Sequence, residues 1–304
     1  RTAISRRRVL SAMAACSAAN LLPGVCAAQS PIPTRTIPRT GEMLPIVGLG
    51  STRPVSGITD LGSDTVERIV RTLVNAGGKV VDTWPTDAAN DGAFGKILAL
   101  AGLREQLFVT INLTQSDPQE AEAHFSRTMQ LYDRQTIDLV NVGNLTNIAE
   151  NWPNLQAWQD AGRARYTGVT VASEQLLAPL EAFVQSRRPD FVMVNYSVSE
   201  RLAEQRLLPL CADLGVAVLV SRPFMNGSYF DRLEGVALPD WSTEIECETW
   251  AQFSLQYILA NPAVTCVLTE TTNPAHMADN AATANMPYPG ERIRMRMRDL
   301  IDSL

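Results

Sequence analysis

Carboxylates and histidines are the side chains of this sequence that could do acid–base or metal chemistry. Asp82, Asp87 and Asp91 stand close together after a short apolar run and could suggest a cation site. Aspartates at strand ends and helix starts commonly serve as caps, so we expect no metal there. His124 and His276 are too far apart for an HExxH motif, and neither has a CxxC pair nearby. The sequence therefore predicts no local zinc site.

The length and charge of the chain exclude several classes of protein. Its 304 residues are 45% apolar and 19% charged, which suits a sizeable core and excludes a disordered chain. The 26 basic and 32 acidic residues give a net charge of −6, so electrostatics provide no reason to expect a nucleic-acid partner. Four of the basic residues and none of the acidic ones precede residue 29, so the rest of the chain carries a charge of −10.

The first 28 residues have the pattern of an export signal. Residues 5–10 read S-R-R-R-V-L, and residues 9–28 contain no charged side chain. Basic residues, an apolar stretch and small residues before Gln29 are typical of a secretory signal, and the paired arginines resemble the twin-arginine type. Twenty helical residues at about 1.5 Å each would also span a bilayer core of roughly 30 Å, so an uncleaved anchor helix is the alternative. We expect a periplasmic protein, either free after cleavage or held at the inner membrane through residues 9–28.

The remaining chain divides into a short linker and one repetitive domain. Residues 29–42 contain three prolines and are interpreted as a linker that neither pairs as a strand nor continues a helix. From 43 to 304, eight apolar runs alternate with helical patterns, which predicts a parallel (β/α)8 barrel. A doubly wound sheet would need a glycine-rich first turn, which this chain lacks. The expected strands are 45–49, 79–82, 107–113, 136–142, 165–169, 191–195, 216–220 and 264–268.

Several motifs follow one another in the order of a known enzyme family. Residues 44–50 read L-P-I-V-G-L-G, residues 78–83 read G-K-V-V-D-T, and residues 276–280 read H-M-A-D-N. On these motifs the chain resembles the aldo-keto reductases over about residues 41–304. It is most similar to an exported branch with a twin-arginine signal and an R-P-F segment, here residues 222–224. The resemblance implies a (β/α)8 barrel and NADPH-dependent carbonyl reduction.

Most of the catalytic positions that the resemblance implies are replaced. The family uses a tyrosine to protonate the carbonyl oxygen, a lysine and an aspartate to lower the pKa of that tyrosine, and a histidine to orient the substrate. Asp82 matches the aspartate, but Asp87 replaces the tyrosine, Asn112 the lysine and Gly143 the histidine. An aspartate with an ordinary pKa of about 3.9 is ionised near neutrality and cannot protonate a carbonyl. The resemblance therefore implies a degenerate catalytic tetrad.

The positions that would hold the cofactor are altered in the same way. Val171 and Met193 stand where the family has hydrogen-bonding side chains for the nicotinamide. At the start of the eighth helix, where free N–H groups favour a phosphate, Glu270 adds an opposing anion. We therefore expect no cofactor, with NADP(H) as the cofactor if the chain is an active enzyme. The cofactor positions that the resemblance implies are Thr170, Met193, Ser221, Glu270, Thr271, Thr272 and Asn280.

Three functions are compatible with these residues. We interpret the chain as an aldo-keto-reductase-like pseudoenzyme, a non-catalytic accessory or structural subunit of a periplasmic or inner-membrane complex with protein partners. One alternative is an active periplasmic NADP(H)-dependent oxidoreductase that reduces a carbonyl substrate and uses Asp82 and Asp87 as an unusual carboxylate pair. The other alternative is a small-molecule binding protein that uses the emptied mouth of the barrel.

Overall fold

The computed structural model describes residues 30–84, 87–100 and 102–304. In this part of the chain, eight parallel strands, β3 to β10, close into a barrel in chain order, and β10 pairs back to β3. The (β/α)8 fold expected from the sequence is confirmed. The strands are β1 Thr34–Thr36, β2 Met43–Pro45, β3 Val47–Leu49, β4 Val80–Thr83, β5 Phe108–Leu113, β6 Ile137–Gly143, β7 Ala164–Val171, β8 Phe191–Asn195, β9 Ala217–Ser221 and β10 Cys266–Thr269.

Helices surround the barrel, and several of them begin at a residue whose side chain caps the helix. Asp117 and Asn273 each accept a backbone N–H at the start of a helix, and each is followed by a proline at the first helical position. The helices are α1 Ile58–Leu61, α2 Ser63–Asn75, α3 Ala88–Leu98, α4 Leu103–Gln106, α5 Pro118–Tyr132, α6 Ile148–Asp160, α7 Leu177–Arg187, α8 Leu207–Leu214, α9 Ser228–Arg232, α10 Trp250–Leu259, α11 Pro274–Thr283 and α12 Glu291–Ser303.

The barrel interior is filled by alternate residues of the strands, because side chains along a strand point to opposite faces in turn. Phe108, Tyr166 and Phe191 form an aromatic group there, with ring centroids 5.3 to 6.0 Å apart. The next positions of the same parity, towards the carboxyl ends of the strands, include Asp82 and Asn112. One alternating pattern therefore places both the apolar core and the candidate site.

Residues 34–45 form a β-hairpin, which corrects the linker expected for residues 29–42. Thr34 of β1 lies opposite Pro45 of β2 in an antiparallel pair. Ile37 and Leu44 are fully buried in the same cluster as the inward-facing core of the barrel. The expectation was wrong because the prolines before and after β1 flank the strand, so they remove no N–H from its ladder.

Residues 1–28, over which a signal or anchor is expected, lie outside the described residues. In the part that the structure does describe, no helix combines the length and the apolar composition needed to cross a membrane.

Helices α3 and α5 approach so closely at Gly95 that no side chain fits there. A Cβ atom on Gly95 would lie 2.0 Å from the carbonyl oxygen of Leu131. We predict that Gly95→Ala lowers the free energy of unfolding by about 2 kcal/mol, because the helices must move apart. Urea denaturation followed by circular dichroism measures this change.

Gly92 provides the matched control in the same helix. A Cβ atom there would meet only the Cδ2 of Leu131, at an ordinary 3.9 Å. Gly92→Ala should leave stability unchanged or raise it by up to about 1 kcal/mol, because alanine favours the helix. An equal loss of stability in both variants would contradict the close approach at Gly95.

Candidate functional site

The carboxylate of Asp82 lies at the end of β4 in the upper barrel and is only 5% exposed. Ser51 Oγ donates to its Oδ2 at 3.0 Å. Asn112 Nδ2 donates to its Oδ1 at 2.7 Å, and Thr110 Oγ1 donates to the same oxygen. Burial raises the pKa of Asp82 despite these three hydrogen bonds, and the nearby charge of Glu270 acts in the same direction.

Asn112 connects Asp82 to the next two strands. Its Oδ1 accepts from Asn141 Nδ2 at 3.2 Å and from Thr170 Oγ1 at 2.5 Å, while its Nδ2 donates to Asp82. A lysine side chain at position 112 has no acceptor atom, so it could not accept the hydrogen bonds that Asn141 and Thr170 donate. The side chains of β4, β5, β6 and β7 therefore form one continuous hydrogen-bonded network, and the hydroxyl of Thr170 is part of it.

Asp87 does not join this network. Its Oδ1 accepts from the backbone N–H of Asn90 at 2.8 Å and from Asn90 Nδ2 at 3.1 Å, which makes it the N-cap of α3. Its side chain is exposed, and the carboxylate whose charge helps to raise the pKa of Asp82 is that of Glu270. The structure therefore does not form the Asp82–Asp87 pair on which the active-enzyme alternative relied.

Gly143 ends β6 directly below Trp84. A Cβ atom on Gly143 would lie 3.3 Å from the indole of Trp84, 3.0 Å from Thr114 Cγ2 and 3.1 Å from the carbonyl oxygen of Leu113. Both backbone polar groups of Trp84 are hydrogen-bonded, which fixes its backbone. The N–H donates to Ser51 Oγ, and the carbonyl accepts from Ser56 Oγ. A histidine side chain at position 143 would need the indole to move.

The aspartates considered for a cation have separate structural roles. Asp91 is fully buried and accepts from Tyr132 Oη at 2.8 Å and from Thr128 Oγ1 at 3.1 Å. Within residues 30–84, 87–100 and 102–304, no three His, Cys, Asp or Glu side chains are grouped so that they could hold a metal ion.

A cavity of about 190 Å³ opens at the mouth of the barrel, above Asp82. Thr170, Met193 and Ser221 line it together, so the structure brings these three expected nicotinamide positions to one place. Their polar groups are already used, because Thr170 bonds to Asn112 and Ser221 Oγ donates to Asn195 Oδ1 at 3.0 Å. The thioether of Met193 adds no strong hydrogen-bonding group.

The remaining expected cofactor positions lie around the start of α11. Asn273 caps this helix by accepting the N–H of Ala275 at 2.9 Å, and Thr271 Oγ1 accepts the N–H of Asn273 at 3.1 Å. These N–H groups are therefore not free for a phosphate. Glu270 stands beside them, and its Oε1 is buried without a hydrogen-bond partner. The donors and charges of these residues do not fit NADP(H).

Thr272 and Asn280 complete the expected set, on different sides of Glu270. Thr272 lines a space of about 160 Å³ together with Arg53 and Arg222. Asn280 lines a larger pocket of about 470 Å³ that Glu270 also borders.

Sequence reasoning missed several residues of the site. Ser51, Thr110 and Asn141 hydrogen-bond within the Asp82–Asn112 network, and Trp84 covers Gly143. The alternation of side chains along a strand could have identified two of them. Thr110 and Asn141 each stand two residues before a position that the resemblance assigns to the tetrad, on the same strand. Ser51 and Trp84 lie in loops after strands, where no such period applies.

The family model of the aldo/keto reductases matches residues 47–297 of the chain. The chain belongs to the aldo/keto reductase family. An aldo-keto reductase of Mycolicibacterium smegmatis is 27% identical over 146 residues, which are 45% of this chain and 48% of that protein. The chain thus aligns with about half the length of this curated relative.

Solved aldo-keto reductases share the fold at low sequence identity. The holo form of an aldo-keto reductase from Bacillus halodurans superposes with a TM-score of 0.73 at 17% identity, covering 88% of this chain and 96% of that one. A putative aldo-keto reductase from Pseudomonas aeruginosa has a TM-score of 0.68 at 20% identity, covering 85% and 97% of the two chains. At such identities, the likeness shows the barrel and not the chemistry.

The raised pKa of Asp82 predicts a pH dependence of stability in this aldo/keto reductase relative. A carboxyl whose pKa is higher in the folded than in the unfolded chain stabilises the fold at low pH, and this contribution is lost as pH rises through the folded pKa. Asp82→Asn, which cannot ionise, should therefore gain stability relative to the wild type as the pH rises above about 4, the ordinary pKa of an aspartate. Urea denaturation at several pH values measures the difference.

Asp87→Asn is the control, because asparagine caps a helix as well as aspartate does. Its free energy of unfolding at neutral pH should equal that of the wild type, which shows that an aspartate-to-asparagine change at an exposed cap does not by itself alter stability. A flat difference for Asp82→Asn would show that burial does not disfavour the charged carboxylate.

Proposed function

We propose that this aldo/keto reductase relative has no reductase activity and serves as a non-catalytic subunit of a periplasmic or inner-membrane complex. The hydrogen-bonded network around Asp82 and Asn112 carries the proposal. Both oxygens of Asp82 and both polar groups of Asn112 have protein partners, so neither residue is free to polarise or protonate a substrate.

The tyrosines and histidines of the chain provide no substitute for the missing acid. All six tyrosine hydroxyls have partners outside the mouth of the barrel, among them Tyr166, which donates to Glu42, and Tyr196, which bonds to Glu204. Of the two histidines, His124 contacts Arg127 on α5, and His276 lines the pockets beside α11. Neither residue type can therefore take the role of the family's tyrosine or histidine.

The lysines provide no substitute either. The chain has two, Lys79 and Lys96. Lys79 lies beside Glu42, which also accepts from Tyr166 at the closed end of the barrel, and Lys96 lies on the exposed side of α3. No ammonium group is left to lower the pKa of an acid at the mouth.

The leader supports the proposed location. Residues 5–10 resemble the twin-arginine signature, and residues 9–28 supply an apolar stretch for export or for anchoring at the inner membrane. The periplasm has no maintained NADPH pool, so a reductase would lack its reductant there, and the loss of reductase groups from the barrel would cost no activity. The remaining surface is then available for protein partners.

Titration with NADPH tests the loss of catalysis. We predict no saturable quenching of tryptophan fluorescence, to which Trp84 at the mouth would contribute, and no oxidation of NADPH with simple aldehydes or quinones above the protein-free rate. An active aldo-keto reductase serves as the positive control under the same conditions. Saturable binding together with turnover would refute the proposal and favour the oxidoreductase alternative.

Isolation of the untagged protein from its native membranes tests the subunit role. We predict that a protein partner accompanies it in fixed stoichiometry through two chromatographic steps. The carbonate-washed membrane fraction shows separately whether residues 9–28 are retained as an anchor. A chain that is recovered alone and monomeric would contradict the subunit role and leave ligand binding as the function to test.

A further inference from the structure

A pocket of about 470 Å³ lies between α10, α11 and the segment before and within α9. Three of its walls are aromatic, from Phe224, Phe230 and Trp250, and two carboxylates, Glu270 and Asp279, face the same space. Among the described residues, no arginine or lysine lines it. We call this space the α10–α11 pocket.

The two carboxylates of the pocket have no cationic partner. Glu270 forms no ion pair within 4 Å among the described residues, and its Oε1 is buried without a hydrogen bond. Asp279 accepts only from neutral groups, Gln252 Nε2 at 2.7 Å and Thr249 Oγ1 at 3.3 Å. A partly buried carboxylate without a countercharge is unfavourable, so this pocket favours a positively charged occupant.

The aromatic walls add a second attraction for a cation. Phe224 and Phe230 pack with ring centroids 5.1 Å apart, and Phe230 remains 39% exposed. Trp250 is held in place by its Nε1, which donates to the carbonyl of Val236 at 2.9 Å. The faces of aromatic rings attract ammonium groups and also accommodate the apolar body that carries them.

The arginines of this region line an adjoining space, and His276 borders both that space and the α10–α11 pocket. Arg53 and Arg222 line the adjoining space of about 160 Å³ and not the α10–α11 pocket. Glu270, Phe224 and Phe230 border both spaces, whereas Asp279 and Trp250 line only the α10–α11 pocket. An anionic nucleotide would meet both carboxylates there.

We infer that the α10–α11 pocket binds a small organic cation, an amine or quaternary ammonium with a compact apolar body. The inference rests on the proposed loss of dinucleotide binding, since a bound dinucleotide would compete for this region. The carboxylates of Glu270 and Asp279 supply the countercharge, and Phe224, Phe230 and Trp250 supply the aromatic surface.

Choline and its uncharged isostere 3,3-dimethyl-1-butanol test the inference with the purified full chain. Isothermal titration calorimetry should show saturable binding of choline and none of the alcohol. Glu270→Gln keeps the shape and removes the charge, and it should weaken choline binding by about tenfold or more. Phe230→Leu, which keeps an apolar wall without the ring, should also weaken it.

Glu105→Gln is the matched control, because Glu105 is an exposed carboxylate on α4 that does not line the pocket. Its affinity for choline should equal that of the wild type. Circular dichroism melting curves show whether each variant is folded.

Equal binding of choline and the alcohol, unchanged binding in Glu270→Gln, or no choline binding at all would each overturn the inference. Saturable binding of 5′-AMP without binding of choline would overturn it as well, in favour of a nucleotide. The proposed function fails separately, through NADPH binding with turnover. Absence of both NADPH and choline binding would therefore remove the cation site and leave the proposed loss of catalysis standing.

Discussion

The carboxylate of Asp82 imposes a requirement on the upper barrel, because it is almost fully buried and its oxygens need hydrogen-bond donors from the protein. Ser51, Thr110 and Asn112 supply these donors. The side-chain oxygen of Asn112 in turn accepts a hydrogen bond from Thr170. Once these bonds form, the groups that could have met a cofactor or a substrate are occupied. A charge that is costly to bury has thus become the centre of a structural network.

Asp82 and Glu270 are carboxylates of the same barrel in two different environments. Asp82 is enclosed and fully hydrogen-bonded, whereas Glu270 lies at the boundary of two pockets without a donor for its Oε1. The hydrogen bonds to Asp82 offset part of the cost of burying it, and the unsatisfied oxygen of Glu270 favours a ligand of opposite charge. The carboxylate oxygen without a hydrogen-bond partner thus lies beside α11 and not at Asp82.

The strands were predictable because their signal is local. Each runs through a short apolar segment with turn residues on either side, and the predicted 191–195 agrees with β8, Phe191–Asn195. The hairpin of β1 and β2 was not predictable from its prolines, since whether a proline interrupts a strand or flanks it depends on which neighbour that strand finds. The same applies to Asp87, whose motif position indicated catalysis but whose side chain caps α3.

By itself, the sequence determined the barrel and the family, because both depend on residue type and order along the chain. The tertiary structure alone decided what surrounds the positions at which the resemblance implies replaced catalytic residues. Asn112 joins Asp82 to Thr170, Trp84 covers Gly143, and Glu270 and Asp279 face three aromatic rings. All of these arrangements bring together distant segments of the chain. Closure of the barrel brings these segments together, and no local sequence pattern indicates which side chains then come into contact.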